Sequence, residues 1–147
     1  MIQRIQSVYL SISILLIGLL FFLPFAEIVK DGSIYLFNFK GVLLDGAVKE
    51  GGWIITVLLV CLIALHILAI FSYKNRKQQI KIVYFAILLL VGLLGAIAFY
   101  TYFLFSGALV SFKFGVGLPL VAIILDYLAI RAIGKDEALI RSIDRIR

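Results

Sequence analysis

With 147 residues, 64% of them hydrophobic, and a mean hydropathy of +1.17, the chain is far more apolar than a water-soluble domain, which is usually about 45–50% apolar. In water such a surface would carry large greasy patches, so lipid is the implied solvent, and the length suits one domain, 1–147. The net charge of +6 is met by basic residues that flank membrane helices; no nucleic-acid partner is expected, because that footprint needs a continuous basic patch.

Residues 5–26 carry no charge. A bilayer core of about 30 Å takes about 20 apolar residues, so a first span is expected at 6–24, ended by Pro24. A cleaved signal peptide is the rival reading. Its apolar region would be too long, and Pro24-Phe25-Ala26 is a poor small-x-small cleavage site. A retained anchor is therefore expected.

The outer loop, 25–52, balances Glu27, Asp31, Asp45 and Glu50 against Lys30, Lys40 and Lys49. Asp31-Gly32 is a hairpin-turn dipeptide. It lies between the apolar run 25–29 and the aromatic run 34–39, which predicts a short β-hairpin on the outer face. A second span is expected at 53–73, bounded by the interfacial anchors Trp53 and Tyr73. A loop with four cations and no acid, 74–81, leads to a third span at 82–105. There Gly92 and Ala96, with Gly95 beside them, place small residues one turn apart, a spacing that either lets helices approach closely or reflects only that glycine is common in membrane helices.

The run 109–114 alternates apolar and polar residues, and can add a third strand to the hairpin. Phe112-Lys113-Phe114-Gly115 resembles Phe37-Asn38-Phe39-Lys40-Gly41, as in a weak internal duplication. Pro119 suits the first turn of a fourth span at 117–133. Gly134 reads as a break. In the tail, 134–147, Asp136 and Glu137 favour a new helix start. Leu139, Ile140, Ile143 and Ile146 then recur at helical spacing, while Glu137 can pair with Arg141.

Ten cations (Arg4, Lys74, Arg76, Lys77, Lys81, Arg131, Lys135, Arg141, Arg145, Arg147) fall on one side of these spans. Four (Lys30, Lys40, Lys49, Lys113) fall on the other. The bias puts both termini in the cytoplasm. The expected fold class is an all-α membrane protein: a four-helix transmembrane bundle with a small periplasmic β element and a cytosolic amphipathic C-terminal helix.

The opening Met1-Ile2-Gln3-Arg4-Ile5-Gln6-Ser7-Val8-Tyr9-Leu10 resembles that of a family of short four-span proteins from Bacteroidota. So does the close, from Leu128-Ala129-Ile130-Arg131-Ala132-Ile133-Gly134-Lys135-Asp136-Glu137 to Asp144-Arg145-Ile146-Arg147. The family is catalogued as a domain of unknown function. The resemblance spans essentially the whole chain and implies an inner-membrane protein of a Gram-negative bacterium. It implies no activity and no catalytic residues.

Asp126 is the sharpest single residue, because an ionisable group inside a membrane helix is expensive and needs a partner. It lies five residues before Arg131, about 7–8 Å from the helix end, and Arg4 or Arg131 can pair with it. His66, the only histidine, sits at similar depth. A His–carboxylate pair with Asp126 would respond to pH, whereas a lone His more often bonds a neighbouring helix. His66, Asp126, Arg131 and Arg4 form a candidate polar seam. Lys135, Asp136, Glu137, Arg141, Asp144, Arg145 and Arg147 form a candidate surface for lipid or a partner.

No cofactor or metal site is expected. Metal binding takes three or four ligands; the single cysteine, Cys61, excludes an internal disulfide and lies on a different helical face from His66. No phosphate loop, zinc-protease motif or nucleophile elbow is present. The expectation is a non-catalytic membrane scaffold with a protein partner or a second copy. The alternative is a small transporter using Asp126 and His66.

Overall fold

A bilayer interior tolerates only backbone that satisfies its own hydrogen bonds, and α-helices do so along their length. The computed structural model describes residues 4–144, with side chains from Ile5 to Ala138. Helix α1 runs Arg4–Leu19, α2 Trp53–Phe71, α3 Arg76–Phe99 and α4 Gly117–Asp144. With flanking turns, Trp53–Lys74, Arg76–Leu104 and Phe114–Ala138 are long and apolar enough to cross a membrane. The remaining apolar helix, Ile5–Leu19, is shorter; at about 1.5 Å per residue it measures roughly 22 Å.

The span expected at 6–24 is therefore helical only to Leu19. The N–H groups of Leu20, Phe21 and Phe22 donate three residues back, to Ile17, Gly18 and Leu19, and Pro24 ends this tight turn. Helix α3, by contrast, begins earlier than expected. Asn75 caps it by accepting from the Gln78 N–H at 3.3 Å, so Lys77 and Lys81 stand on its first turns. At its far end α3 widens into a π-turn at Tyr100–Leu104, where Thr101 donates to the Ile97 and Ala98 carbonyls.

Each helix buries one narrow stripe in steps of three and four residues. The stripes are Gln6, Leu10, Ser13 and Ile17 on α1; Ile55, Leu59, Leu62, His66 and Ala69 on α2; Gln79, Val83, Ala86, Leu90, Leu93 and Ile97 on α3; and Leu118, Ala122, Asp126, Ala129, Ile133 and Asp136 on α4. The steps average about 3.6 residues, the period of a straight α-helix, so each stripe stays on one face along the helix. Helix α1 packs on α2 and α4, and α3 packs on the same two.

The expected all-α architecture is overturned by a sheet. Five strands, β1 Ala26–Lys30, β2 Ser33–Asn38, β3 Gly41–Leu44, β4 Ala47–Gly51 and β5 Leu109–Phe112, pair in the order β4-β3-β2-β1-β5, every neighbour antiparallel. The chain is thus four helices with a five-stranded antiparallel sheet, not an all-α bundle carrying a minor hairpin. The hairpin at Asp31-Gly32 is present, and β5 joins it through β1, with Val29 opposite Leu109.

The second hairpin, β3–β4, falls where a loop is expected. It turns on Asp45-Gly46, whose φ angles of 50° and 80° match the 50° and 76° of Asp31-Gly32, as a type I′ turn requires. Strand β4 carries Lys49 and Glu50 on an exposed edge, a device that discourages pairing with other chains and masks the strand in the sequence.

The inward face of the sheet seats on the helices through Ala26, Ile28, Phe37 and Val42, all fully buried. Phe37 stacks on Tyr100 of the π-turn at 5.4 Å and meets Phe25 edge-on at 5.4 Å. The Tyr100 hydroxyl donates to the Gly51 carbonyl at 2.8 Å. The closest backbone approaches fall at Gly41, at Gly52 facing it, and at Gly115. Gly41 has φ 119°, and a Cβ there would lie 2.0 Å from the Glu50 carbonyl oxygen; one on Gly115 would lie 2.5 Å from that of Pro24.

The break expected at Gly134 is also absent. Helix α4 continues through it to Asp144, and a Cβ on Gly134 meets nothing within 4 Å. The tail is thus an extension of the fourth helix rather than a separate surface helix, as far as the described residues go. Thermal unfolding in mild detergent checks this. Gly134→Ala is expected to leave stability unchanged or raise it by up to about 1 kcal/mol, since Ala is the better helix former. Gly41→Ala should cost more than about 2 kcal/mol from its left-handed backbone and the clash behind it. Destabilisation by Gly134→Ala would mean that the helix does break there.

Candidate functional site

The buried stripes carry polar residues at two levels, and at each level they meet. At the first, Asp126 of α4 faces His66 of α2, with Nε2 at 3.1 Å from both carboxyl oxygens. Ser13 of α1 donates its hydroxyl to Asp126 Oδ1 at 2.9 Å. His66 Nδ1 lies 2.8 Å from the Leu62 carbonyl one turn back on α2. Ser13, His66 and Asp126 are all buried.

These contacts count the protons. A carbonyl can only accept, so Nδ1 carries a hydrogen. One further hydrogen must lie between Nε2 and the carboxyl group, because two acceptors would otherwise face each other. Imidazolium with carboxylate and neutral imidazole with carboxylic acid both satisfy this. In either form the pair has zero net charge and every polar atom is bonded, which is the condition for burying it.

Apolar layers close the pair on both sides. Toward the sheet lie Ile17, Leu59, Leu62, Leu90 and Ala122 in the larger core cluster. Toward the other end lie Leu10, Ala69, Val83, Ala129 and Ile130 in a second cluster. Beyond that plug comes the second polar level. Gln6 of α1 donates to the Asp136 carboxylate of α4 at 2.5 Å, and Arg76 of α3 donates to the Asp136 backbone carbonyl at 2.9 Å. Gln79 is buried beside them, and its side-chain oxygen has no hydrogen-bond partner among the described residues.

Of the expected seam, the structure brings His66 and Asp126 together and leaves Arg131 exposed at the rim of the second level. The side chain of Arg4 lies outside the described residues, as do those of Arg141 and Asp144 and the whole of Arg145 and Arg147. Of the expected lipid or partner surface, Lys135 is exposed and Asp136 is buried against Gln6; Glu137 is partly buried and engaged in an interaction. Ser13, Gln6, Gln79 and Arg76 belong to these levels without any motif that marks them in the sequence. A signal was there: Gln6, Ser13 and Gln79 interrupt three-four apolar stripes, the same anomaly that makes Asp126 conspicuous.

Among the described residues no three His, Cys, Asp or Glu side chains cluster to hold a metal ion. Cys61 is exposed. Gly92 and Gly95 also face outward, and a Cβ on either meets nothing within 4 Å, so their closeness serves no contact within the described chain.

The family described as Domain of unknown function (DUF4293) matches residues 2–146. The chain belongs to that family. No curated protein and no solved structure gives a match. Family membership therefore assigns no activity, and the chemistry has to be read from the two polar levels of this family member.

A double-substitution cycle measures the first level. His66→Leu and Asp126→Leu should each cost about 3–5 kcal/mol, because each strands a buried polar partner. The double Leu variant should cost less than either single change, and Ser13→Ala about 1.5–3 kcal/mol at most. Unfolding measurements in which the two single losses simply add would show that the pair is not coupled.

Proposed function

We propose that this chain is a non-catalytic accessory or scaffold subunit of the inner membrane of a Gram-negative bacterium, with both termini in the cytoplasm and the sheet on the periplasmic side. The cation bias supports that orientation: Lys74, Arg76, Lys77, Lys81, Arg131 and Lys135 gather at the helix ends away from the sheet. The partner is a protein subunit or a second copy of this chain.

One observation carries the scaffold reading. The outward face of the sheet presents Leu109, Val29 and Ile34, 77%, 38% and 63% exposed, which are register partners across β5, β1 and β2. Leu36 and Val48 extend this apolar surface. A monomer that needs its sheet only as a lid has no use for an apolar outer row, whereas a docking face does.

Purification in mild detergent with mass spectrometry tests it. Ile34→Lys with Leu109→Lys should release a stoichiometric partner or dissociate an oligomer. Truncation after Ala138, which keeps Asp136 in place, tests the cytosolic end separately. A protein that crosslinks and purifies alone, with no partner and as a monomer, would remove the scaffold reading.

A second reading, a small transporter or channel-forming oligomer, is favoured by the His66–Asp126 contact itself. A neutral pair that shares one proton between two helices is a form that proton carriers use. Apolar layers shield it on both sides, so carriage would require the helices to move. Proton flux in proteoliposomes should then fall at least tenfold in Asp126→Asn and in His66→Ala. Flux unchanged by both substitutions rejects transport through this pair.

A further inference from the structure

Arg131 and Lys135 stand one turn apart on α4, the spacing that puts two side chains on one helix face. Both are exposed. Among the described residues neither has an ion pair or a side-chain hydrogen bond. Between them and α1 lies a cavity of about 450 Å³ whose walls include Ile5, Tyr9 and Leu128. Gln6 and Asp136 complete the lining. The Asp136 carboxylate is held by the Gln6 amide, and the two cations outnumber it.

The place of the cavity matters as much as its charge. It lies at the end of the helices away from the sheet, where the apolar span Phe114–Ala138 gives way to charged residues. Ile5 is half exposed on its wall. One side of the site is therefore apolar and lipid-facing, and the other is cationic. A free anion uses only the second feature. A glycerophospholipid uses both, with its phosphate between the cations and its glycerol and first methylenes against Ile5, Tyr9 and Leu128.

We propose that the α1–α4 cavity binds the headgroup of one anionic glycerophospholipid, its phosphate held by Arg131 and Lys135. This rests on the reading of the chain as a membrane protein, and it holds whether the chain is a scaffold or a transporter. Bound there, the lipid would bridge α1, the shortest apolar helix, to α4, and would reinforce the Gln6–Asp136 contact that joins them.

Native mass spectrometry of the purified full chain tests the site, with phosphatidylglycerol, phosphatidylcholine or inorganic phosphate added. One phosphatidylglycerol per chain should be retained in preference to phosphatidylcholine, and inorganic phosphate should neither bind nor compete. A basic residue near anionic lipid contributes about fivefold in affinity, so Arg131→Gln with Lys135→Gln should weaken retention roughly 30-fold. The charge-conserving pair Arg131→Lys with Lys135→Arg should keep it. Lys77→Gln with Lys81→Gln removes the same charge from α3, outside the cavity, and should have little effect.

Equal loss in the Lys77 and Lys81 variant would show general surface attraction and overturn the site. So would equal retention of phosphatidylcholine, or retention unchanged in the Arg131 and Lys135 variant. Saturable phosphate binding with the same sensitivity to substitution would make this a free-anion site and overturn the lipid assignment. Failure of the protein to float with phosphatidylcholine vesicles would overturn the membrane reading and the site with it.

Discussion

A histidine and an aspartate enclosed among apolar helices must face each other, because either one alone would be an unpaired polar group in a low-dielectric interior. That requirement constrains three helices together. His66 is held by its own helix through Leu62, Asp126 comes from α4, and Ser13 from α1 takes up a further carboxyl lone pair. The apolar stripes alone are nearly degenerate. Sliding α4 by one step would place Ala122 or Ala129 opposite His66 with little change in apolar burial, but it would strand both polar partners. The buried pair therefore specifies which of several similar packings is adopted, a role well attested for polar residues in helical seams.

The same logic recurs at the far end with weaker groups. Gln6, Asp136 and Arg76 tie α1, α4 and α3 by hydrogen bonds, two turns beyond the first polar level on α1. Between the two levels the plug of Leu10, Ala69, Val83, Ala129 and Ile130 keeps them apart. The helices are thus pinned at two heights, and the short helix α1 takes part in both. The shortest apolar helix, Ile5–Leu19, is thus held at two heights by side-chain hydrogen bonds to α4.

At the opposite end the constraint is backbone satisfaction. Chain that leaves a helix near a membrane must find partners for its N–H and C=O groups, and a sheet supplies them in bulk. The sheet is locked to the helices by the stacking of Phe37 on Tyr100 and by the Tyr100 hydroxyl on the Gly51 carbonyl, while Gly41 lets β3 close on the end of β4 and Gly115 lies against Pro24. Lys113, just after β5, and Glu27 of β1 add an ion pair at 2.9 Å; being partly exposed, it contributes little. The edge strand β4 is charged and short, and the outward apolar row lies in the middle of the sheet and on β5.

Local features were legible in the sequence and distant pairings were not. Charge-free runs marked the apolar helices, since crossing lipid is decided by composition over about 20 residues. Asp31-Gly32 announced its hairpin because a type I′ turn needs only two residues of the right kind. Asp45-Gly46 is the same signal and was masked by the charges of β4, which belong to an edge strand as readily as to a loop. Gly134 misled because glycine permits a helix end without requiring one, and the packing of Ile133 and Asp136 carries α4 straight through it. His66 and Asp126 could be named as candidates from their cost in an apolar helix. That they touch, and that Ser13 completes them, was decided by contacts across 60 and 113 residues of chain. The sequence by itself determined an apolar, membrane-class chain with a basic end, because those properties are sums over neighbouring residues. Only the tertiary structure decided which polar groups meet and how five strands close into one sheet, because both depend on the relative rotation and height of elements that no local pattern records.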